Sequence, residues 1–242
     1  TIGQVCSNVT EGNFEDRVSI KNRDEIGGLG ATVNTMVEGL HERFELSKYV
    51  STAAMNSLRE KKEGHLVPMT MLFSDIRGFT SYSEKRSPEE VVKYLNLILN
   101  VQTEIIQKYA GDIDKYVGDE IVSMWLEENQ AINSVKAAIE ICEELQKHSN
   151  DIYDGLQVGI GINSGEVILG MIGSQKRADY TFIGDNVNTA SRLCDAAKPS
   201  QILISSSTYD QIADSVLVGG PFRLKAKGKD EYVKVYLVEG LK

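Results

Sequence analysis

From residue 66 onward, short apolar runs alternate with amphipathic stretches in an order that leaves few folds open. "VPMTMLFSD" reads as a buried strand. "SPEEVVKYLNLILNVQTEIIQKYAG" reads as a helix with Pro88 in its first turn and Gly111 as its stop. "DIDKYVGDEIVSMWL" reads as two short strands around a tight turn at Val117-Gly118-Asp119. A second helix is expected over roughly 130–148. The strand "GLQVGIGIN", the segment "GEVILGMIG", the strand "ADYTFIG" and the helix "DNVNTASRLCDAAK" follow, with further short strands at "QILIS", "FRLKAK" and "VKVYLV". This β-α-β-β-α-β order with additions predicts an α+β fold (an α/β sandwich), a ferredoxin-like βαββαβ palm with extra strands and its helices on one face of a mixed sheet.

Residues 1–65 obey a different pattern. They are polar and hold no convincing strand core, while Val33, Met36, Val37, Leu40 and Phe44 recur at spacings of three and four and mark one helix face. The helix is expected to run on through "HERFELSKYVSTAAMNSLREKKEG" and stop near Gly64 and Pro68. So narrow a stripe on so long a helix predicts pairing with a second copy, as a parallel coiled-coil linker. Upstream, an acidic "DEIG" at residues 24–27 opens the second helix, and an N-x-M pattern follows at Asn34 to Met36. The stretch resembles HAMP domains, short dimeric helical bundles that relay signals, commonly from a membrane segment to a cytoplasmic output. The first helix of the bundle looks shortened, and the alternative is an ordinary amphipathic helix with an acidic first turn. The expected division is an α-helical HAMP-like relay at 1–45, a helical linker at 46–65 and a second domain at 66–242.

Bulk properties exclude several classes. A formal charge of -9 argues against a nucleic-acid partner, because phosphate-binding surfaces are usually basic. Metal ions can still bridge an acidic protein to a polyphosphate. The 3 cysteines are widely spaced and fit neither a disulfide framework nor a zinc site. No apolar run approaches the ~20 residues needed to cross a bilayer. The chain begins with Thr1 rather than Met, so the expectation is a fragment, with an upstream membrane sensor outside it and the full-length protein on the cytoplasmic side of the cell membrane.

In "LFSDIRGFT", residues 72–80, a carboxylate ends an apolar run. Such an Asp can cap the next helix, or it can hold a metal. Asp119, 44 positions on (119 − 75), sits at the predicted hairpin tip, and the palm order brings both residues to one end of the sheet. Two close carboxylates repel, and a divalent cation relieves the repulsion. Hard oxygen ligands suit Mg²⁺ or Mn²⁺, which also bridge to phosphates. The turn after them, at Gly78, Phe79 and Thr80, would offer backbone N–H groups to phosphate oxygens, with Gly78 permitting close approach.

Four segments carry a resemblance: "FSDIRGFT", "DKYVGDEIVSMW", "VGIGINSGEVILGMIG" and "DYTFIGDNVNTASRL". In this order they resemble the class III nucleotidyl cyclases, over about residues 66–242. The resemblance implies two metal ions, Mg²⁺ or Mn²⁺, on Asp75 and Asp119, with the Ile76 carbonyl as an auxiliary ligand. It implies that Asn188 and Arg192 orient the ribose and stabilise the transferring phosphate; their i, i+4 spacing puts both on one helix face. It places Lys115 and Thr181 at the purine-selecting positions, and Lys225 with Lys227 on a basic loop for the terminal phosphates. The implied reaction is attack of the nucleotide 3′-hydroxyl on its own α-phosphorus, with loss of pyrophosphate. Sites would be shared in a head-to-tail homodimer, the aspartates from one chain and the other sets from its partner. Gln157 departs from the pattern, since some members carry a basic residue there.

Blander readings exist for each residue. Asp119 alone could be a turn former, Asn188 a buried hydrogen-bonding group, Arg192 a surface ion-pair partner and Thr181 an ordinary strand residue. Lys225, Lys227 and Lys229 could guard a strand edge. Lys115 can donate to adenine N1 and the Thr181 hydroxyl can accept from the 6-amino group, whereas guanine presents the opposite pattern. The expectation is therefore an adenylate cyclase acting on ATP. The alternatives are a guanylate cyclase, a catalytically silent dimeric relay, and a diguanylate cyclase, whose usual "GGDEF" is here Val117-Gly118-Asp119-Glu120-Ile121.

Overall fold

A computed structural model describes residues 1–20, 24–47, 64–174, 178–225 and 232–242. Two units separate, one within residues 1–51 and one within 52–242. In the first, helix α1 (Ile2–Thr10) precedes helix α2 (Glu25–Ser47), and the connector between them is described over residues 11–20 and at Asp24. Asp24 accepts from the backbone N–H groups of Ile26 and Gly27 and so caps α2. Asn34 holds the connector to α2: its Oδ1 accepts from Val18 N (2.8 Å) and its Nδ2 donates to Val18 O (3.0 Å). Val5, Val18, Val33 and Val37 form the buried core. The rest of the predicted stripe, Met36, Leu40 and Phe44, remains largely exposed in the single chain. Most of the predicted linker, residues 48–63, lies outside the described residues.

The second unit begins with β1 (His65–Ile76), followed by helices α3 (Phe79–Ser83) and α4 (Pro88–Lys108). Helix α4 starts where its sequence dictates. Ser87 and Glu90 form a reciprocal capping box around Pro88, which satisfies otherwise unpaired N–H groups. Gly111 follows its end because a Cβ there would lie 2.5 Å from the Trp125 ring. Strands β2 (Asp112–Val117) and β3 (Glu120–Trp125), helix α5 (Gln130–Lys147) and β4 (Val158–Gly173) complete the palm. Then come β5 (Ala178–Ile183), α6 (Asp185–Ala196), β6 (Ile202–Ser205), α7 (Ser206–Ile212), β7 (Val216–Lys225) and β8 (Tyr232–Leu241).

The 8-stranded sheet runs β2-β3-β1-β4-β6-β8-β7, with β5 on the far half of β4. The βαββαβ palm is as expected, but "GLQVGIGIN" and "GEVILGMIG" join in one 16-residue strand, so β4 pairs with β1, β6 and β5 along its length. The helices are not all on one face, which corrects that expectation. Along β1 the side chains alternate. Leu72 and Ile76 share a core with α4, α5 and α7, while Met69, Met71 and Phe73 face the other way and meet Ala190 and Cys194 of α6. The cause is legible in "VGIGI". A Cβ on Gly161 would fall on the backbone nitrogen of Cys194 and 2.5 Å from the Ala190 carbonyl oxygen. Only a glycine lets the α6 backbone lie against the sheet here.

Candidate active site

Asp75 stands opposite Glu120 on β3 and Gly159 on β4. The β2–β3 hairpin turns through two residues, Gly118 at φ 65° and Asp119. That tight turn delivers Asp119 beside Asp75, close enough for its charge to act on the Asp75 carboxyl. Burial, then the charge of Asp119, pushes the Asp75 carboxyl up to about 6. Burial, then Asp75, Asp195 and Asp119, pushes Glu120 up to about 7. Against these acids stands Arg77, whose Nη1 meets Asp75 Oδ2 at 2.9 Å and whose Nη2 donates to the carbonyls of Cys194 (2.6 Å) and Gly159 (3.3 Å). Its Nε is buried without a hydrogen-bond partner among the described residues.

Hard oxygen donors with surplus negative charge fit a divalent cation. Among the described residues no group of three or more His, Cys, Asp and Glu is arranged around one point. What fits is a pair of carboxylates, the donor set typical of Mg²⁺ that keeps other positions for water and phosphate. Ile76 is the last residue of β1, with its side chain buried. Gly78 takes φ 74° and leads into the short α3, so Gly78, Phe79 and Thr80 form the predicted turn beside the pair.

A second cluster joins residues 66 positions apart. Lys115 Nζ donates to Thr181 Oγ1 at 2.9 Å. Thr181 Oγ1 in turn donates to Asp114 Oδ2, also at 2.9 Å. The same Asp114 oxygen lies 3.3 Å from Lys115 Nζ, and the Asp114 side chain is 1% exposed. Burial drives its carboxyl up, while Lys115 and the Thr181 hydroxyl oppose that shift. Asp114 and Lys115 are adjacent yet reach the same hydroxyl because β2 is irregular there: Ile113 pairs with Ser123 and Lys115 with Val122, leaving Asp114 as the extra residue. Bulges re-aim side chains in this way.

The third set is on α6. Asn188 and Arg192 project from one helix face, Asn188 exposed and Arg192 half-buried, and neither side chain has a polar partner among the described residues. The helix is seated by polar contacts at its start: Asn163 Nδ2 donates to the Asn186 carbonyl (2.8 Å), and Asn186 Nδ2 donates to the Glu166 carbonyl (2.9 Å). Cys194 is buried with its thiol pushed up to about 12, so it is no nucleophile. Gln157 Oε1 accepts from Ser200 (3.1 Å). Lys225 ends β7, and Lys227 and Lys229 lie outside the described residues.

Comparison with known proteins decides the family. The adenylate and guanylate cyclase catalytic domain matches residues 62–240, and the HAMP domain matches residues 1–42. The chain belongs to the adenylate and guanylate cyclase catalytic domain family. A HAMP domain precedes its cyclase domain. The chain is 34% identical to the adenylate cyclase of Anabaena cylindrica over 262 residues, covering 96% of this chain and 52% of that protein. It thus spans about half the length of that curated relative. Among solved structures, the guanylyl cyclase Cya2 superposes with a TM-score of 0.70 at 35% identity, covering 75% of this chain and 96% of that one. The adenylyl cyclase CyaB from P. aeruginosa gives 0.68 at 34%, covering 73% and 96%. A bacterial light-regulated adenylyl cyclase gives 0.77 at 25%, covering 90% and 65%.

Sequence reasoning missed Arg77, Asp114, Glu120 and Asp195 in the cyclase domain. Glu120 carried a signal, since it follows Asp119 in a strand that leads away from the pair. Asp114 carried none, because strict alternation puts it on the face opposite Lys115.

Proposed function

We propose that this protein is an adenylate cyclase, converting ATP to 3′,5′-cyclic AMP and pyrophosphate. Adenylyl and guanylyl cyclases resemble it about equally, at 34% and 35% identity, so similarity does not choose the base. The observation that carries the choice is the Lys115–Thr181 contact. An ammonium beside a hydroxyl offers a donor for adenine N1 and an acceptor for the 6-amino group, the reverse of what guanine needs.

Asp75 and Asp119, with the Ile76 carbonyl, would hold two Mg²⁺ or Mn²⁺ ions. When bound, these lower the pKa of the 3′-hydroxyl and neutralise the triphosphate. The Gly78–Thr80 turn would receive phosphate oxygens, and Lys225 and Lys227 the terminal phosphates. Asn188 would orient the ribose, and Arg192 would meet charge as it develops on the transferring phosphate. That both α6 side chains lack polar partners among the described residues supports a site completed by a second copy. So does the exposed cross-strand pair Ile168 and Ile183, near Thr181 on the same strands. The assembly would be a head-to-tail homodimer with two shared sites.

The exposed Met36, Leu40 and Phe44 support pairing of the HAMP helices with those of a second copy, in parallel, as the route by which an upstream membrane sensor would act on the cyclase domain. No helix of the described residues is long and apolar enough to cross a membrane. The test is product identification from ATP and from GTP, first with Mn²⁺ and then with Mg²⁺. Cyclic AMP should dominate. Cyclic GMP as the main product would replace this reading with the guanylate one, and no product from either would favour a silent relay.

A further inference from the structure

We infer that Asp114 is a positioning residue for base selection: by taking the only proton of the Thr181 hydroxyl, it fixes that oxygen as an acceptor toward the purine. A hydroxyl has one donor and two acceptor positions. At Thr181 the proton is spent on Asp114 Oδ2 at 2.9 Å, and one lone pair receives the Lys115 ammonium at 2.9 Å. Chemistry forces this assignment, since an ammonium can only donate and a carboxylate can only accept. One lone pair remains. It is matched to a 6-amino group and mismatched to a 6-oxo group.

Without Asp114 the same threonine would not discriminate. Its hydroxyl could rotate and donate to a 6-oxo group as readily as accept from an amine. The location of Asp114 also needs explaining. Its carboxylate is 1% exposed and its Oδ1 makes no hydrogen bond among the described residues, an arrangement that costs stability. The bulge in β2 interrupts the ladder to place it there. A role in orienting Thr181 accounts for both.

The inference rests on the ATP reading, and its test separates the two. ATP and inosine triphosphate differ only on the edge that Lys115 and Thr181 face, so their kcat/KM ratio reports hydroxyl orientation. A wild-type protein that cyclises neither, or does not prefer ATP, refutes the ATP reading. Given that preference, Asp114→Ala should lower the ATP-to-inosine ratio by about tenfold or more, ~1.4 kcal/mol of discrimination. Asp114→Asn should keep the ratio within about threefold, because its amide NH₂ is repelled by Lys115 and its carbonyl therefore faces the hydroxyl. A purely structural role would lower both rates together and leave the ratio alone. An unchanged ratio in Asp114→Ala overturns the inference. So does a lost ratio in a folded Asp114→Asn protein, which decides the matter even if the alanine variant does not fold.

Discussion

The Lys115–Thr181–Asp114 cluster and the carboxylate corner lie in one sheet and solve opposite problems. At Lys115, Thr181 and Asp114, the ammonium, the hydroxyl and one carboxylate oxygen pair within a single chain, and one ammonium faces one carboxylate. At Asp75, Asp119, Glu120 and Asp195, acids outnumber the Arg77 guanidinium among the described residues, and two carboxyls are held well above their ordinary range. On the proposed reading, the first cluster is preorganised for a neutral base edge. The second is built with a charge surplus that folding alone would not favour. Such unresolved repulsion is more characteristic of a functional site than of a stabilising network.

The sharpest way to break the comparison is to remove the surplus. Asp75→Ala or Asp119→Ala should lower cyclase kcat by at least about a hundredfold, the scale set by losing charge stabilisation in a transition state. The melting temperature should hold or rise, because a repelling carboxylate is gone. Retained activity in both variants would disprove the metal role. A smaller recovery follows from the shared site. Mixing Asp75→Ala chains with Arg192→Ala chains should restore roughly a quarter of wild-type activity, because half of the dimers are mixed and each holds one intact site. If exchange is demonstrated by labelled subunits and activity stays absent, both sets work within one chain.

How much of this was readable in advance varies with the kind of contact. The palm followed from period-two and period-3.6 patterns, and the α4 bounds from Pro88 in its first turn and Gly111 after its end. Asp75 and Asp119 were legible because a strand end and a hairpin tip are positions that topology fixes. The side taken by α6 was not read, although Gly159 and Gly161 mark it, because a glycine's meaning depends on what approaches it. Asp114 was hidden by a bulge, which alternation cannot foresee. The strand expected at 155–163 and the segment at 165–173 joined because Gly165 is accommodated in the ladder opposite Met69 rather than ending it.

The seat of α6 links the two clusters, and it can be disturbed without touching either. Gly161→Ala inserts a methyl group where the α6 backbone lies, an overpacking that costs about 1–3 kcal/mol. Melting should fall by several degrees, at roughly 2–4 °C per kcal/mol for a unit of this size. Activity should fall further than stability explains, since Asn188 and Arg192 ride on the displaced helix and a shift of about 1 Å can cost on the order of a hundredfold. Activity that stays at the wild-type level in a destabilised protein would show that α6 need not be held so tightly.

The smallest effect is thermodynamic and isolates the carboxylate corner from catalysis. A cation that binds the folded protein at about ten times its Kd stabilises it by ~1.4 kcal/mol. For this chain length that is a rise of about 3–5 °C in Tm. Mn²⁺ should therefore raise the melting temperature of the wild-type protein in the absence of nucleotide. Replacing both Asp75 and Asp119 by Asn keeps shape and hydrogen-bonding capacity but removes two negative charges. Without metal, at a fixed pH of about 8 where the free carboxyls ionise, this variant should melt slightly above the wild type, because the repulsion between two partly buried carboxylates is gone. With Mn²⁺ the order should reverse, since only the wild type gains. Thr181→Val, made on the purine side, should leave the Mn²⁺ shift intact while weakening base selection. If the Asn pair keeps the full Mn²⁺ response, the cation binds elsewhere, and the charge surplus at the sheet end must be balanced by Arg77 alone.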